Sequence, residues 1–97
     1  MADIFHPAKH QSLNEIRQWD IDFTLDLPSG VTITSATAVH IPPSGAASTP
    51  TVGVIALNIV PVKLGPLGVI GKHTLVVMAT YVNGEKSEAR VLIHVEY

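Results

Sequence analysis

Apolar and polar residues alternate strictly near the start of the chain. Over residues 19–27, from Trp19 to Leu27, every odd-numbered residue is large and apolar and every even-numbered residue is polar. A period of two is typical of a β-strand that buries one face. The cluster Pro28-Ser29-Gly30, which favours a turn, ends the pattern. We therefore predict a strand over residues 19–27 with its odd-numbered side chains in the core.

A second strand is predicted over residues 31–41, which are rich in Val, Ile and Thr. β-branched side chains favour strands because their restricted χ1 angle suits the pleated surface. We expect a break in this strand near Ser35. The apolar residues that share one face of it are Val31, Ile33, Val39 and Ile41.

The middle of the chain gives weaker signals. Residues 42–50 predict a loop, because proline has no amide to donate within a central strand. Residues 51–59 are apolar in both phases and predict a third strand. Residues 60–71, punctuated by prolines and glycines, predict a long connection with room for one short strand.

The last third of the chain predicts a β-hairpin. Two strand-like runs, residues 72–81 and 85–97, flank Asn83-Gly84, which is a strong signal for chain reversal. The second run has one apolar face, formed by Ala89, Val91, Ile93, Val95 and Tyr97.

The register of the hairpin depends on its loop length. A three-residue loop with Gly84 in a left-handed conformation turns one set of side chains inward, namely His73, Leu75, Val77 and Ala79. A two-residue turn instead brings Thr74, Val76 and Met78 inward, and we expect the three-residue loop. Residues 75–78 are apolar in both phases, as expected of a strand that is covered on both faces, with a neighbouring chain as one candidate for the outer cover.

The start of the chain carries the one helical signal. Leu13 and Ile16, at a spacing of three, predict a turn or two of helix within residues 7–17. We divide the chain into an N-terminal arm, residues 1–16, that is ordered by what it touches, and a domain, residues 17–97. About six or seven short strands favour an all-β, immunoglobulin-like Greek-key β-sandwich with an extended N-terminal arm, and a small closed barrel is the alternative.

Composition and charge narrow the function classes. Of the 97 residues 46% are hydrophobic and 14% are charged, against about 25% charged in ordinary domains. Residues 28–62 contain no Asp, Glu, Lys or Arg. The net charge of −2 argues against nucleic acid as a partner, and the absence of cysteine excludes disulfides and thiolate sites. We also expect no secretory signal and no membrane-spanning segment.

The residues that could carry chemistry are scattered. Five histidines invite a metal hypothesis, but His6, His10, His40, His73 and His94 fall in different elements. We expect His73 to be buried and hydrogen-bonded, and His40 and His94 to lie on the surface. Asp20, Asp22 and Asp26 share one face of a straight strand, which does not bring oxygens together around calcium. We therefore predict no metal site and no cofactor.

No motif for catalysis is present. Serines occur outside any nucleophile motif, and the glycines of residues 65–71 lack the lysine and the helix of a phosphate-binding loop. With no paired acid and base, we predict that the chain is not an enzyme and has no catalytic residues.

Three segments carry a resemblance to a known family. They are the arm, residues 7–16, leading into Trp19-Asp20-Ile21-Asp22-Phe23; the run Gly30-Val31-Thr32-Ile33-Thr34-Ser35-Ala36-Thr37; and residues 71–95, with the Asn83-Gly84 turn and Ser87-Glu88. Together they resemble the small immunoglobulin-like virion proteins of tailed bacteriophages, over most of the chain. The resemblance implies a structural role, as capsid decoration or cement protein or as a head-to-tail, neck or tail-fibre adaptor, in a virion assembled in the host cytoplasm.

The expected partners are major capsid or neck and tail proteins, with the chain present as a homo-oligomer or in repeated copies, and without nucleic acid or membrane. The arm and the charge-poor middle supply the expected interface, which comprises Ile4, Phe5, Leu13, Ile16, Val52, Val54, Ile59, Val62, Leu64 and Leu67. The alternatives are an adhesion or carbohydrate-binding module of a surface protein, and an accessory domain of an enzyme. Sugar sites usually present exposed aromatic platforms, and this chain has five aromatic residues: Phe5, Trp19, Phe23, Tyr81 and Tyr97.

Overall fold

Eight β-strands form two sheets in the part of the chain that the computed structural model describes, residues 4–5, 9–23 and 31–96. The strands are β1 (Ile4–Phe5), β2 (Lys9–Ser12), β3 (Arg17–Asp22), β4 (Ile33–Ile41), β5 (Thr51–Val52), β6 (Ile59–Leu64), β7 (Gly71–Tyr81) and β8 (Lys86–Glu96). One sheet has the order β1-β8-β7-β4, with β2 also paired to β8, and the other has the order β3-β6-β5. The chain changes sheet after β2, β3, β4 and β6, and the fold is an immunoglobulin-like β-sandwich.

The core lies between the inner faces of the two sheets. In β3 the alternation predicts the buried side correctly, since Ile21 and Phe23 are buried and Trp19 is half-buried. The predicted strand beyond Phe23 lies outside the described residues, as do Asp26, His6 and Tyr97. No described helix has the length and apolar character needed to cross a membrane.

The hairpin has the expected three-residue loop. Thr80 pairs with Lys86, and the Tyr81 amide donates to the Glu85 carbonyl oxygen at 2.8 Å. Gly84 has a φ of 89°, which an L side chain rarely adopts. The side chains predicted to point inward from β7 are all buried, as are the described members of the β8 face: His73, Leu75, Val77, Ala79, Ala89, Val91, Ile93 and Val95.

The predicted break near Ser35 is present, and it changes which residues of β4 face the core. The register between β4 and β7 shifts between Ile33 and Ser35, so the strand carries an irregularity there. Beyond it the inward positions are even-numbered, and Ala38 and His40 are buried. Val39 and Ile41 therefore do not share the inward side of Ile33, and the prediction that His40 lies on the surface is wrong.

The prediction of one strand over residues 51–59 is wrong. Strand β5 ends at Val52, and a tight turn follows in which Ala56 and Ile59 exchange both backbone hydrogen bonds, at 3.2 and 2.9 Å. The return strand, β6, lies in what the sequence predicts to be a connection. Pro61 sits in β6 opposite Gly53, just where regular pairing with β5 ends, because proline has no amide to donate.

The helical prediction for residues 7–17 is also wrong over its described part. Lys9–Ser12 is strand β2, which pairs in parallel with β8, with His10 opposite His94. Strand β1 continues the same parallel pairing, with Ile4 opposite Ala89. Residues 4–5 and 9–12 of the predicted arm thus form edge strands of the larger sheet.

Candidate docking surface and buried histidine pair

The outer face of the larger sheet is apolar at its centre. Register places Val39 beside Val76, and Ile41 and Leu92 on either side of Thr74. Met78 follows Val76 on the same face of β7. Val39, Ile41 and Leu92 are 39%, 44% and 45% exposed, while Val76 and Met78 are half-buried by their neighbours in the sheet. We call these five residues, Val39, Ile41, Val76, Met78 and Leu92, the apolar sheet face.

Charged and polar groups surround this face. Arg90, in β8, lies opposite Val76 of β7 and forms an ion pair with Glu88 at 2.7 Å. At the other end of the face, His94 pairs with Lys72 and stacks on His10 with ring centroids 5.3 Å apart. An apolar centre with a polar rim is the usual anatomy of a protein–protein interface.

A second apolar surface lies at the tips of two turns. Leu57, in the tight turn between β5 and β6, is 89% exposed, and Val54 just before it is 88% exposed. Val82, in the turn between β7 and β8, is 61% exposed. Both turns lie at the same end of the sandwich, next to the end of β3 and the start of β4. The Phe23 amide donates to the Asn58 carbonyl oxygen, and the Val82 amide donates to the Thr32 carbonyl oxygen. We call Val54, Leu57 and Val82 the apolar loop pole.

The predicted interface is only partly on the surface. Val62, Leu64 and Leu67 belong to the core of the chain itself, so they are removed from the candidate interface. Val62 and Leu64 continue, with Val60, the alternating buried side of β6, whereas Leu67 lies in the β6–β7 connection. The apolar sheet face was signalled in part by residues 75–78, which are apolar in both phases.

Of the remaining predicted interface residues, some are exposed and others are half-buried. Val54 and Ile16 are exposed, at 88% and 59%. Leu13 and Val52 are half-buried against the core, and Ile59 is half-buried in β6. Ile4 and Phe5 lie in β1, and their side chains are outside the description.

A pair of histidines is buried between β4 and β7. His73 is fully buried and His40 is 7% exposed. The His40 Nε2 atom lies 2.7 Å from the His73 Nδ1 atom, and the two rings are nearly coplanar, with an interplanar angle of 9° and centroids 4.9 Å apart. The pair continues at both ends, from His40 Nδ1 to Ser48 Oγ at 3.0 Å and from His73 Nε2 to the Val69 carbonyl oxygen at 2.6 Å. The expectation of a buried, hydrogen-bonded His73 is confirmed.

Burial lowers the pKa of His40, and the neighbouring His73 lowers it further. The neutral form of His40 is therefore favoured near neutral pH. A cavity of about 230 Å³ lies beside this histidine, lined by Ser48, Lys63, Gly65 and Leu67 among others. No group of three or more potential metal-ligating side chains of the kind that could hold an ion occurs among the described residues.

Gln11 is a polar residue that sequence reasoning missed. Its side chain is buried, and its Nε2 group donates to the carbonyl oxygens of Glu15 and Leu64 at 2.8 and 2.9 Å. Its Oε1 atom accepts a hydrogen bond from Trp19 Nε1 at 2.9 Å. Gly65 lies against this cluster, and a Cβ atom there would overlap the Glu15 carbonyl oxygen. Gln11 therefore fixes the position of β2 against the second sheet.

The aromatic side chains with described surroundings offer no open platform. Phe23 and Tyr81 are 0% and 1% exposed. Trp19 is half-buried, and the cationic groups of Lys9 and Arg17 lie 5.7 and 5.3 Å from its ring. These three rings are thus committed to the core or to contacts within the chain.

Comparison with known proteins supports the fold alone. A scan against protein-family models and a search of curated proteins gave no match. Among solved structures, the chain is similar to InlP of Listeria monocytogenes, with a TM-score of 0.60 and 16% sequence identity. The match covers 97% of this chain and 27% of InlP, so this chain spans about a quarter of that protein's length. At this identity the likeness identifies a shared β-sandwich architecture.

Proposed function

We propose that this chain is a non-enzymatic structural protein that docks on a larger protein assembly, and that the assembly is the particle of a tailed bacteriophage. The observation that carries the proposal is the apolar sheet face. Large exposed apolar patches on soluble domains usually mark interaction sites. Three of the five side chains of this face are between 39% and 45% exposed in the isolated chain.

The distribution of charge supports the same proposal. Strand β4, which carries Val39 and Ile41, lies within the run of residues 28–62 that has no charged side chain. Burying such a strand against a partner removes no ionised group from water, and desolvating charges is the main cost of forming a polar interface. The Glu88–Arg90 ion pair lies at the edge of the face, where charged groups can remain hydrated.

The phage assignment rests on the sequence resemblance, which implies a decoration, cement or adaptor role on the capsid, neck or tail. Its partners would be capsid or neck and tail subunits, present in repeated copies. Repetition suits a small docking protein, because each copy needs only one modest interface to a neighbouring subunit.

Mass spectrometry of purified particles tests this proposal. The phage whose genome encodes the chain is grown, and its particles are separated from soluble lysate on a density gradient. We expect peptides of this chain in the particle fraction at a fixed ratio to the major capsid protein. Abundant chain in the soluble lysate together with its absence from the particles would contradict the proposal.

A further inference from the structure

Two loops at one end of the sandwich are joined by a single chain of side-chain hydrogen bonds. Ser48 lies in the β4–β5 connection and Val69 in the β6–β7 connection, and the two histidine rings between them belong to β4 and β7. Backbone hydrogen bonds between His40 and Ser48, at 2.8 and 2.9 Å, hold the first loop at the same point. We call Ser48, His40, His73 and Val69 the histidine latch.

The direction of every hydrogen bond in the histidine latch can be derived from the one at Val69. The Val69 carbonyl oxygen can only accept, so His73 Nε2 carries a proton. In a neutral ring His73 Nδ1 is then an acceptor, and His40 Nε2 must donate to it. The His40 Nδ1 atom therefore carries no proton and accepts a hydrogen bond from the Ser48 hydroxyl. Both rings are therefore in the Nε2–H form.

The latch can take up one proton without losing a hydrogen bond, but not two. A first proton on His40 Nδ1 requires only that the Ser48 hydroxyl rotate from donor to acceptor. A second proton must go to His73 Nδ1, which then faces the His40 Nε2–H group at 2.7 Å with a hydrogen on each atom. Two cationic rings would also lie with their centroids 4.9 Å apart in a buried site.

The charged groups around the latch add to this intolerance. Lys63 is the one charged residue among those that line the cavity beside His40, and its charge has the same sign as a protonated histidine. Neither connection carries an acidic residue over residues 42–50 or 65–70. On β7 and β8, Lys72 and His94 pair on the outer face of the sheet, away from the inward His73. None of the residues that line the cavity carries a carboxylate that could neutralise a second proton.

We propose that the histidine latch is an acid-sensitive device that holds the β4–β5 and β6–β7 connections together at neutral pH and separates them when both rings are protonated. Separation breaks the contact between the rings and frees Ser48 and Val69. The cavity of about 230 Å³ between the two connections then widens.

Amide hydrogen exchange tests this device in the full chain. Between about pH 7.5 and about pH 4.5 we expect the protection factors of the His40 and Ser48 amides to fall about tenfold or more. The Phe23 amide, bonded to the Asn58 carbonyl oxygen at the opposite end of the sandwich, should keep its protection factor within about threefold. Unchanged protection of His40 and Ser48 over this range would overturn the proposal.

Two variants distinguish the effect of protonating the histidine latch from the effect of protonating other histidines. In His40→Gln the amide group still donates to His73 but cannot ionise, so the fall in protection at Ser48 should disappear. His10→Gln alters the exposed stacked pair and should leave the fall intact. An equal fall in wild type and His40→Gln would contradict the device.

Ring nitrogen NMR spectra of the wild type give a test that needs no variant. We expect both rings in the Nε2–H form near neutral pH. Two fully protonated rings with intact protection of the His40 and Ser48 amides would refute the latch.

Discussion

Gln11 shows how one side chain can join parts of the molecule that are distant in sequence. Its three hydrogen bonds connect β2 to the following turn, to the end of β6 and to Trp19 in β3. A buried amide is stable only when its donors and acceptor are satisfied, and here each of the three partners is fixed by the backbone or by packing.

Gln11→Glu is predicted to destabilise the fold. A carboxylate cannot donate to the Glu15 and Leu64 carbonyl oxygens, so a part-buried and a buried hydrogen bond are lost and a charge is added at a buried site. We expect the free energy of unfolding in urea to fall by about 2 to 4 kcal/mol. Gln18→Glu is the matched control on an exposed residue, and a loss as large as that of Gln11→Glu would contradict this role for Gln11.

His40 links stability to pH. Its pKa in the folded chain is lowered from the ordinary value of 6.5, chiefly by burial. As the pH falls below about 6.5, the unfolded chain binds a proton that the folded chain resists, so the stabilisation is present above this pH and is lost below it.

We therefore predict that the free energy of unfolding falls between about pH 7 and pH 5, by at most about 1.4 kcal/mol per pH unit for one proton. The free energy of unfolding of wild type and of His40→Gln is measured in urea at several pH values. The contribution of His40 is the difference between the two proteins in how steeply this free energy changes with pH. Staying above pH 5 avoids Glu15, whose pKa is lowered from 4.5 by the Ser12 backbone and by Arg17, and which loses its own contribution at lower pH. The same pH dependence of the free energy of unfolding in both proteins would contradict this role for His40.

At the scale of elements, the β5–β6 turn contains the described non-glycine residues with positive φ angles. Leu57 and Asn58 both have positive φ angles, 51° and 70°. A two-residue hairpin turn of this kind favours Asn and Gly, and leucine is rarely left-handed. Leu57 is thus an exposed apolar side chain at a position where its backbone conformation costs stability.

Leu57→Asn is predicted to stabilise the chain. Asparagine tolerates the left-handed conformation, so the free energy of unfolding should rise by about 0.5 to 1 kcal/mol. Thermal and urea unfolding measure the change. Val54→Asn, equally exposed but without the positive φ, serves as control and should not stabilise. A stability of Leu57→Asn at or below that of wild type would show that the turn is not strained.

The sequence predicts strands and turns that carry a regular pattern or a turn motif, and it misses the β5–β6 turn, which carries neither. The period of two identifies β3 and β8 because each has one buried face, and Asn83-Gly84 identifies the hairpin. A turn made of Leu57 and Asn58 carries no glycine or proline, so residues 51–59 look like one continuous strand.

Two other errors have local causes. The irregularity between Ile33 and Ser35 moves β4 by one residue relative to its partner, and this exchanges Val39 for His40 on the buried side. In β2 the inward residue is the polar Gln11, so no apolar alternation marks that strand. Periodicity reports burial only while the register is continuous and the buried residues are apolar.

At the scale of the whole molecule, the larger sheet has a covered and an uncovered side. Its inner face packs on the β3-β6-β5 sheet, and its outer face presents the apolar sheet face within a polar rim. The second apolar surface, the loop pole, is at the end of the sandwich. The proposed function places the partner on the sheet face, so substitutions on the two surfaces should have different effects.

Co-sedimentation with purified particles compares the two surfaces directly. The double variant Val39→Lys and Leu92→Lys places two charges on the sheet face, and Val54→Lys and Leu57→Lys places two on the loop pole. We expect the first to lose at least about tenfold in particle binding and the second to bind within about threefold of wild type, with both variants folded by circular dichroism. Full binding by the sheet-face variant, or loss of binding confined to the loop-pole variant, would contradict docking through the outer face of the larger sheet.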